Sequence, residues 1–362
     1  MDVPNQNQIP VIKASGSYHD IGIVIGRTMK DHIAAILAKA RKDLPPNILW
    51  KDILHQSKLY LTHSQAVYPQ YIQELAGIAD GADLPFEDLF ALMCEELWDS
   101  HIWKFGTHRP LKGCTDLVAR GRATMDGSTL LAHTNDEQPG HENHLVILKI
   151  QAEDEPEFLG VSYGGAEISS GYNAAGIGIT GNQVDSNDCR PGVPRLLMVR
   201  AILAARRLGE ALAVCTLPGR ASNYNNIISD TSGEVFSMEG SASECEAIYI
   251  EEDILAHANH YVSPPMRKFI ADRHEIANSL VRHNRAMRLL RENYGQISPL
   301  KMMEFLTDHT NYPASICMHG IKSITAYSII IQLNELRCWI GKGRPCETTY
   351  TEYKLAPWIS AQ

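Results

Sequence analysis

RPLKGCTDLV, residues 109–118, is where the chain changes character. Upstream, residues 17–110 carry apolar side chains three and four apart, as in YHDIGIVIGRTMKDHIAAILAKARKDL (18–44), which predicts helices. Downstream, CTDLVARGRAT (114–124) and TLLAHTND (129–136) read as strands. Pro110 and Gly113 punctuate the boundary. If the peptide bond before Cys114 breaks, one residue carries both a thiol and an α-amine. That amine has a reference pKa of about 7.7–8.0 against about 8.5 for the thiol, so it can act as general base for its own side chain. Gly113 suits the preceding position, because it tolerates a strained backbone and a close approach of sulfur to its carbonyl. A Gly-Cys pair at a strand start also has a plain structural reading.

Working outward, Asp126-Gly127 is a preferred two-residue hairpin turn. It would set residue 117 opposite residue 136, leaving Asp136 roughly 10 Å along the strand from Cys114, a gap that a bulge shortens. Asp136 then orients or pairs with the new amine; a solvated loop carboxylate is the other reading. HLVILKI (144–150), EFLGVSY (157–163) and GIGITGN (176–182) read as further strands. So do YNNIISDTSGEVFSMEGS (224–241, turning at Ser232-Gly233), CEAIYI (245–250) and ILAHANHY (254–261). TAYSIIIQL (325–333) and LRCWIGKG (336–343), joined by Asn334-Glu335, close the chain. PRLLMVRAILAARRLGEALAVC (194–215) reads as one helix opened by Pro194. Residues 266–295 read as another, ending at Gly295, and 298–309 as a shorter one. Strand blocks alternating with helix blocks suggest sheets layered with helices, of class α+β.

Composition narrows the partners. With 42 acidic and 33 basic residues and no dense basic stripe, nucleic acid is not expected. No apolar run reaches the length of a membrane span, and MDVPNQNQIPVIKAS lacks a signal-peptide core, so a cytoplasmic chain is expected. The eight cysteines are scattered without CxxC, which reads as reduced thiols. Cys317, Cys338 and Cys346 are read as packing or incidental. The arginines at 273, 282, 285, 288 and 291 are read as a solvated helix face. Trp98, Trp103 and Phe105 are read as core rather than pocket.

Eight segments, in order, are similar to the isopenicillin N acyltransferase-like family of self-cleaving Ntn hydrolases, which includes β-alanyl-amine hydrolases. They are SGSYHDIGIVIGRTM (with Gly16, Gly22 and Gly26), CEELWD, GCTDLVARGRATMDGSTLLAHTNDEQ, SSGYNAAGIGITGNQV, ASNYNNIISDTSGEVFSME, HANHYVSP, RLLRENYGQISPLKMMEFLTDH and SIIIQLNELRCWIGKGRPC. The resemblance implies a four-layer αββα sandwich with two mainly antiparallel sheets. It implies self-cleavage between Gly113 and Cys114 into chains 1–113 and 114–362, held in one folded unit. It implies Cys114 as nucleophile, Asp136 at the amine, and Asn225 as oxyanion donor, with Asn223 as the register alternative. Asn173, Asn259 and His260 would line the site. Glu137 stands where the family has an aromatic or apolar residue, which suggests a more polar pocket. The implied substrates are a small amide, or an acyl-CoA and an amine. Hydrolysis is favoured over transfer, no cofactor or metal is expected, and a homo-oligomer is left open.

Three other readings compete. His133, Asp136, His141 and His144, or His257 and His260, would serve a metal hydrolase, but the spacings are loose and no HExxH register exists. GIGITG (176–181) spells a dinucleotide fingerprint but is followed by a poor helix start. A non-catalytic binding protein on the same scaffold is the third.

Overall fold

The computed structural model describes residues 8–98, 113–271 and 276–358. The first helix, α1 (Tyr18–Lys42), starts where the Ser17 hydroxyl accepts from the Asp20 N–H. Its buried stripe is Ile21, Ile25, Met29, Ile33 and Leu37. Each such side chain taken out of water contributes roughly 1.5–3 kcal/mol. Helices α2 (Trp50–Val67), α3 (Pro69–Gly81) and α4 (Phe86–Met93) follow. The early glycine pattern has a packing cause. A Cβ on Gly22 or Gly26 would lie 2.1 Å from the carbonyl oxygen of Glu74 or Ile78, so α1 and α3 cross backbone to backbone.

Fourteen strands among the described residues form two sheets. The first, of eight strands, runs in the order β1 (Val11–Gly16), β4 (Leu145–Ala152), β5 (Phe158–Tyr163), β6 (Glu167–Asn173), β7 (Gly178–Asn182), β8 (Tyr224–Ser229), β9 (Val235–Gly240), β10 (Cys245–Tyr249). The second, of six, runs β11 (Ile254–His257), β2 (Gly113–Gly121), β3 (Gly127–Glu137), β12 (Ile324–Gln332), β13 (Arg337–Lys342), β14 (Thr351–Lys354). All pairs are antiparallel except β1 with β4. Strand β1 is absent from the sequence reading.

Alternation builds the layers. Val118 and Leu131 join Ile147, Val161 and Ile227 in a core between the sheets. Their neighbours Leu117 and Leu130 face the other way, onto Leu290 and Phe305 of α7 (Ala277–Glu292) and α8 (Pro299–Leu306). On the far side, Val146, Ile179 and Ile228 pack against α1, α3 and α5 (Arg195–Ala204). Helices, sheet, sheet and helices give the αββα sandwich that the resemblance implies.

Two long helices expected from sequence are broken. Residues 194–215 form α5 and α6 (Leu208–Cys215), because Ala205 and Arg207 take extended backbone angles between them. Residues 264–269 form a 3-10 turn, and α7 begins at Ala277. The hairpin also differs from expectation. Gly121 pairs with Gly127, so the connection is longer than two residues, with a bulge after Ala119. Asp126 caps the turn by accepting from the Ser128 N–H at 3.0 Å instead of occupying a tight hairpin corner. Among the described residues, no helix is long and apolar enough to cross a membrane.

Candidate active site

The longer connection shifts the register so that Gly113 pairs with Asp136 and Cys114 with Asn135. Asp136 therefore reaches the strand start that a tight turn would have denied it. The pleat then divides the site. Cys114 and Asn135 face the inter-sheet layer, while Gly113, Thr115 and Asp136 face α7 and α8. Asp136 lies against Gly113, and a Cβ on that glycine would be 2.5 Å from Asp136 Oδ2. A side chain at position 113 would push the Asp136 carboxylate out of place. The Thr325 hydroxyl donates to Asp136 Oδ1 at 2.7 Å. Burial pushes the Asp136 carboxyl up to about 7, against the favourable pull of Arg282 and Thr325.

Cys114 is buried. Its N–H donates to Asn259 Oδ1 at 2.9 Å, and Asn259 donates onward to the Gln183 carbonyl at 2.9 Å. Asn135 Nδ2 lies 3.5 Å from Cys114 Sγ, and the Tyr163 hydroxyl donates to Asn135 Oδ1 at 2.7 Å. Burial pushes the thiol up to about 12, with the Asp136, Asp116 and Glu137 charges adding to the shift. A small cavity of about 40 Å³ opens beside the sulfur, walled by Asn135, Glu137, Tyr163, Glu167 and Arg195 among others.

Arg282 was expected on a solvated face; it is instead buried. Its Nη1 donates to the Cys114 carbonyl at 2.5 Å and to Thr115 Oγ1 at 2.7 Å, and its Nη2 donates to Asn259 Oδ1 at 2.7 Å. A guanidinium fork thus fixes both the Cys114 backbone and the amide that receives its N–H. Arg288 and Arg291 are exposed as expected, and Arg285 pairs with Asp308. Arg273, Trp103 and Phe105 lie outside the described residues.

Other expected site residues are placed differently. Asn173 donates to the Leu203 and Ala205 carbonyls and accepts from the Ile177 N–H, which locks a turn to the end of α5. Asn223 faces the helical layer, donating to the Cys215 carbonyl. His260 contacts Ser279 of α7 at 2.7 Å, on the far side of the Ala256–His257 strand end. Asn225 does face the inter-sheet layer, but it accepts from Ser237 at 2.7 Å and donates to Asn182 Oδ1 at 3.2 Å. Glu137 walls the cavity beside Cys114, and Asn259 accepts from the Cys114 N–H.

Asn182 is the residue that sequence reading missed. Its Oδ1 faces Asn225 Nδ2 and His257 Nδ1, which leaves its buried Nδ2 with no acceptor among the described residues. Its neighbours Gly181 and Gln183 both wall the cavity beside Cys114. Asn182 thus carries a buried amide donor between two residues of the cavity wall. The same segment had drawn notice only for its glycines.

Residues 123–346 match the model of the acyl-coenzyme A:6-aminopenicillanic acid acyl-transferase family, a span that begins after Cys114. The chain is 25% identical over 236 residues to the β-alanyl-dopamine/carcinine hydrolase of Drosophila melanogaster, covering 59% of this chain and 58% of that protein. It is 25% identical over 288 residues to the acyl-coenzyme A:6-aminopenicillanic-acid-acyltransferase 40 kDa form of Emericella nidulans, covering 77% and 76%. A solved conjugated bile acid hydrolase from Clostridium perfringens superposes with a TM-score of 0.42 at 10% identity, covering 69% of this chain and 99% of that one. With more than half of its length matched by the family model, the chain belongs to the acyl-coenzyme A:6-aminopenicillanic acid acyl-transferase family.

Proposed function

We propose that this protein is an amide hydrolase that cuts itself before Cys114 and uses the freed cysteine as nucleophile. The observation that carries the reading is the convergence of Asn259, Asn135, Arg282 and Asp136 on the Gly113–Cys114 junction. With the thiol at about 12, its ionised fraction at neutral pH is about one in 10⁵, so a thiolate formed unaided is too rare. A base must take the proton during attack.

In maturation, Cys114 Sγ adds to the Gly113 carbonyl carbon, the Gly113–Cys114 C–N bond breaks, and the departing nitrogen takes the thiol's proton. Water then hydrolyses the thioester, giving the Gly113 carboxylate and the free thiol. Asp136, near 7 and lying on Gly113, is suited to hold the proton in transit. In turnover the new α-amine is the base for its own thiol, and Asn259 Oδ1 orients it. Asn182 Nδ2 holds the oxyanion, in place of the Asn225 expected from the resemblance. Asn225 instead keeps Asn182 turned. The acyl-enzyme passes to water, or to an amine if the pocket excludes water.

The cavity wall sets three carboxylates, Glu95, Glu137 and Glu167, against one guanidinium, Arg195, a balance that favours an acyl or amine part bearing a positive charge. A β-alanyl group, such as the fly relative's name specifies, carries one. The test is direct. Cys114→Ala should stay a single chain without amidase activity toward β-alanyl amides. A variant that still splits at this bond contradicts the mechanism. Wild-type activity that needs an added amine acceptor replaces hydrolysis with acyl transfer.

A further inference from the structure

Outside the site described above, four side chains from three separate segments meet. His309 follows α8, Cys317 and His319 stand in the loop before β12, and Cys346 lies in the turn after β13. Their donor atoms all lie within 4.8 Å of one another. His309 Nε2 and His319 Nε2 are 3.1 Å apart, and Cys317 Sγ and Cys346 Sγ are 3.6 Å apart. His319 Nε2 is 3.3 Å from Cys317 Sγ and 3.4 Å from Cys346 Sγ.

Four of the six donor separations match the edges of a metal tetrahedron, and the other two lie within 4.8 Å. Zinc bonds of about 2.3 Å to sulfur and about 2.0–2.1 Å to nitrogen imply edges of roughly 3.3 Å between nitrogens, 3.6 Å between nitrogen and sulfur, and 3.8 Å between sulfurs. We propose that His309, Cys317, His319 and Cys346 form a Cys₂His₂ site for a divalent cation of the zinc type. The set revises both the expectation of no metal and the reading of Cys317 and Cys346 as incidental. No sequence spacing announces it, because Cys346 comes from a distant turn.

With four protein donors the site is closed, so its role is structural. Binding releases the two thiol protons to solvent and uses neutral imidazoles. One rearrangement is required. Arg344 Nη1 lies 3.0 Å from His319 Nδ1, the nitrogen that must carry the proton once Nε2 binds metal. The guanidinium turns aside toward Glu347, which its Nε already meets at 3.1 Å.

The site also bears on Asp136. Met318, between the two loop ligands, donates its N–H to Thr325 Oγ1 at 2.9 Å, and Thr325 holds Asp136. Fixing Cys317 and His319 fixes that hydroxyl. This consequence rests on the function proposed above; the metal site itself does not.

The experiment is a Co²⁺ titration of the reduced, metal-stripped full chain, with zinc measured in the protein as purified. The expected result is one equivalent of Co²⁺ per chain, with thiolate-to-cobalt absorption and intense tetrahedral bands that Zn²⁺ abolishes. Cys346→Ser should weaken binding at least tenfold and lower the charge-transfer intensity, while Cys338→Ser leaves both unchanged. A reduced chain with native circular dichroism that takes up no Co²⁺ overturns the proposal. So does a Cys317–Cys346 disulfide that returns intact after reduction and exposure to excess Zn²⁺. If the metal binds and Cys346→Ser still cleaves at position 114 at the normal rate, the site stands and only its link to Asp136 fails.

Discussion

Asp136→Asn in an uncut Cys114→Ala background isolates the cost of a buried carboxylate at the cleavage junction. The native carboxyl sits near 7, against an ordinary value of 3.8. The difference, about 3 pH units, corresponds to roughly 4 kcal/mol. The sign follows from which state holds the proton. Below 3.8 both folded and unfolded chains are protonated, and the carboxyl's contribution to stability is fully present. Between 3.8 and 7 the unfolded chain has ionised and the folded chain has not, so stability drains away as pH rises. Above 7 it is gone. Asparagine has no such titration. It keeps the bond from Thr325 and replaces the Oδ2 atom, which has no partner among the described residues, with an amide nitrogen that also lacks one there. That orphan costs about 1–3 kcal/mol at every pH. Urea unfolding at intervals from pH 4.5 to 8.5 should therefore show the asparagine variant gaining on its parent by roughly 3–4 kcal/mol across the range. Parallel stability curves would refute the placement of a buried, proton-holding carboxyl against Gly113.

Asn182→Ala should mature and fold but lose roughly a hundredfold or more in kcat with little change in KM, as expected for an oxyanion donor. Equal losses from Asn225→Ala and none from Asn182→Ala would return the role to Asn225. Arg282→Lys should cost about 1.5–3 kcal/mol in urea unfolding, because an ammonium cannot span the Cys114 carbonyl, Thr115 and Asn259 at once. Its cleavage at position 114 should slow as well, and normal stability and normal maturation together would remove the fork from the account. Glu137→Gln should raise KM for amides with a cationic acyl part and leave neutral ones nearly unchanged; equal effects on both would dismiss charge recognition.

The fold was largely legible because alternation and three-and-four spacing dominate long segments, such as Ile21 to Leu37 or Val118 and Leu131. What failed was local. Ala205 and Arg207 break a helix that periodicity alone reads as continuous. The register that sets Asp136 opposite Gly113 comes from a connection longer than two residues, with Asp126 capping the turn, which the Asp-Gly signal does not specify. Arg282 carries no sequence mark that separates it from Arg288, since burial of one helical arginine depends on what lies beneath it. Its distinguishing signal is position, one turn-face inward with Ser279 and Ala286. Asn182, Asn223 and Asn225 look alike in sequence; Asn223 shares the parity of Asn225 but lies before β8, beyond the positive φ of Tyr224, and so takes different partners. The cysteine and histidine cluster is invisible to any contiguous motif.

The most direct test is the N-terminal residue of each chain in purified active enzyme, read by intact mass and Edman or terminal-peptide sequencing. The account predicts two fragments, 1–113 and 114–362, with a free amine on Cys114 in all of the active protein. Full activity in a chain whose residues 113 and 114 remain joined would contradict it.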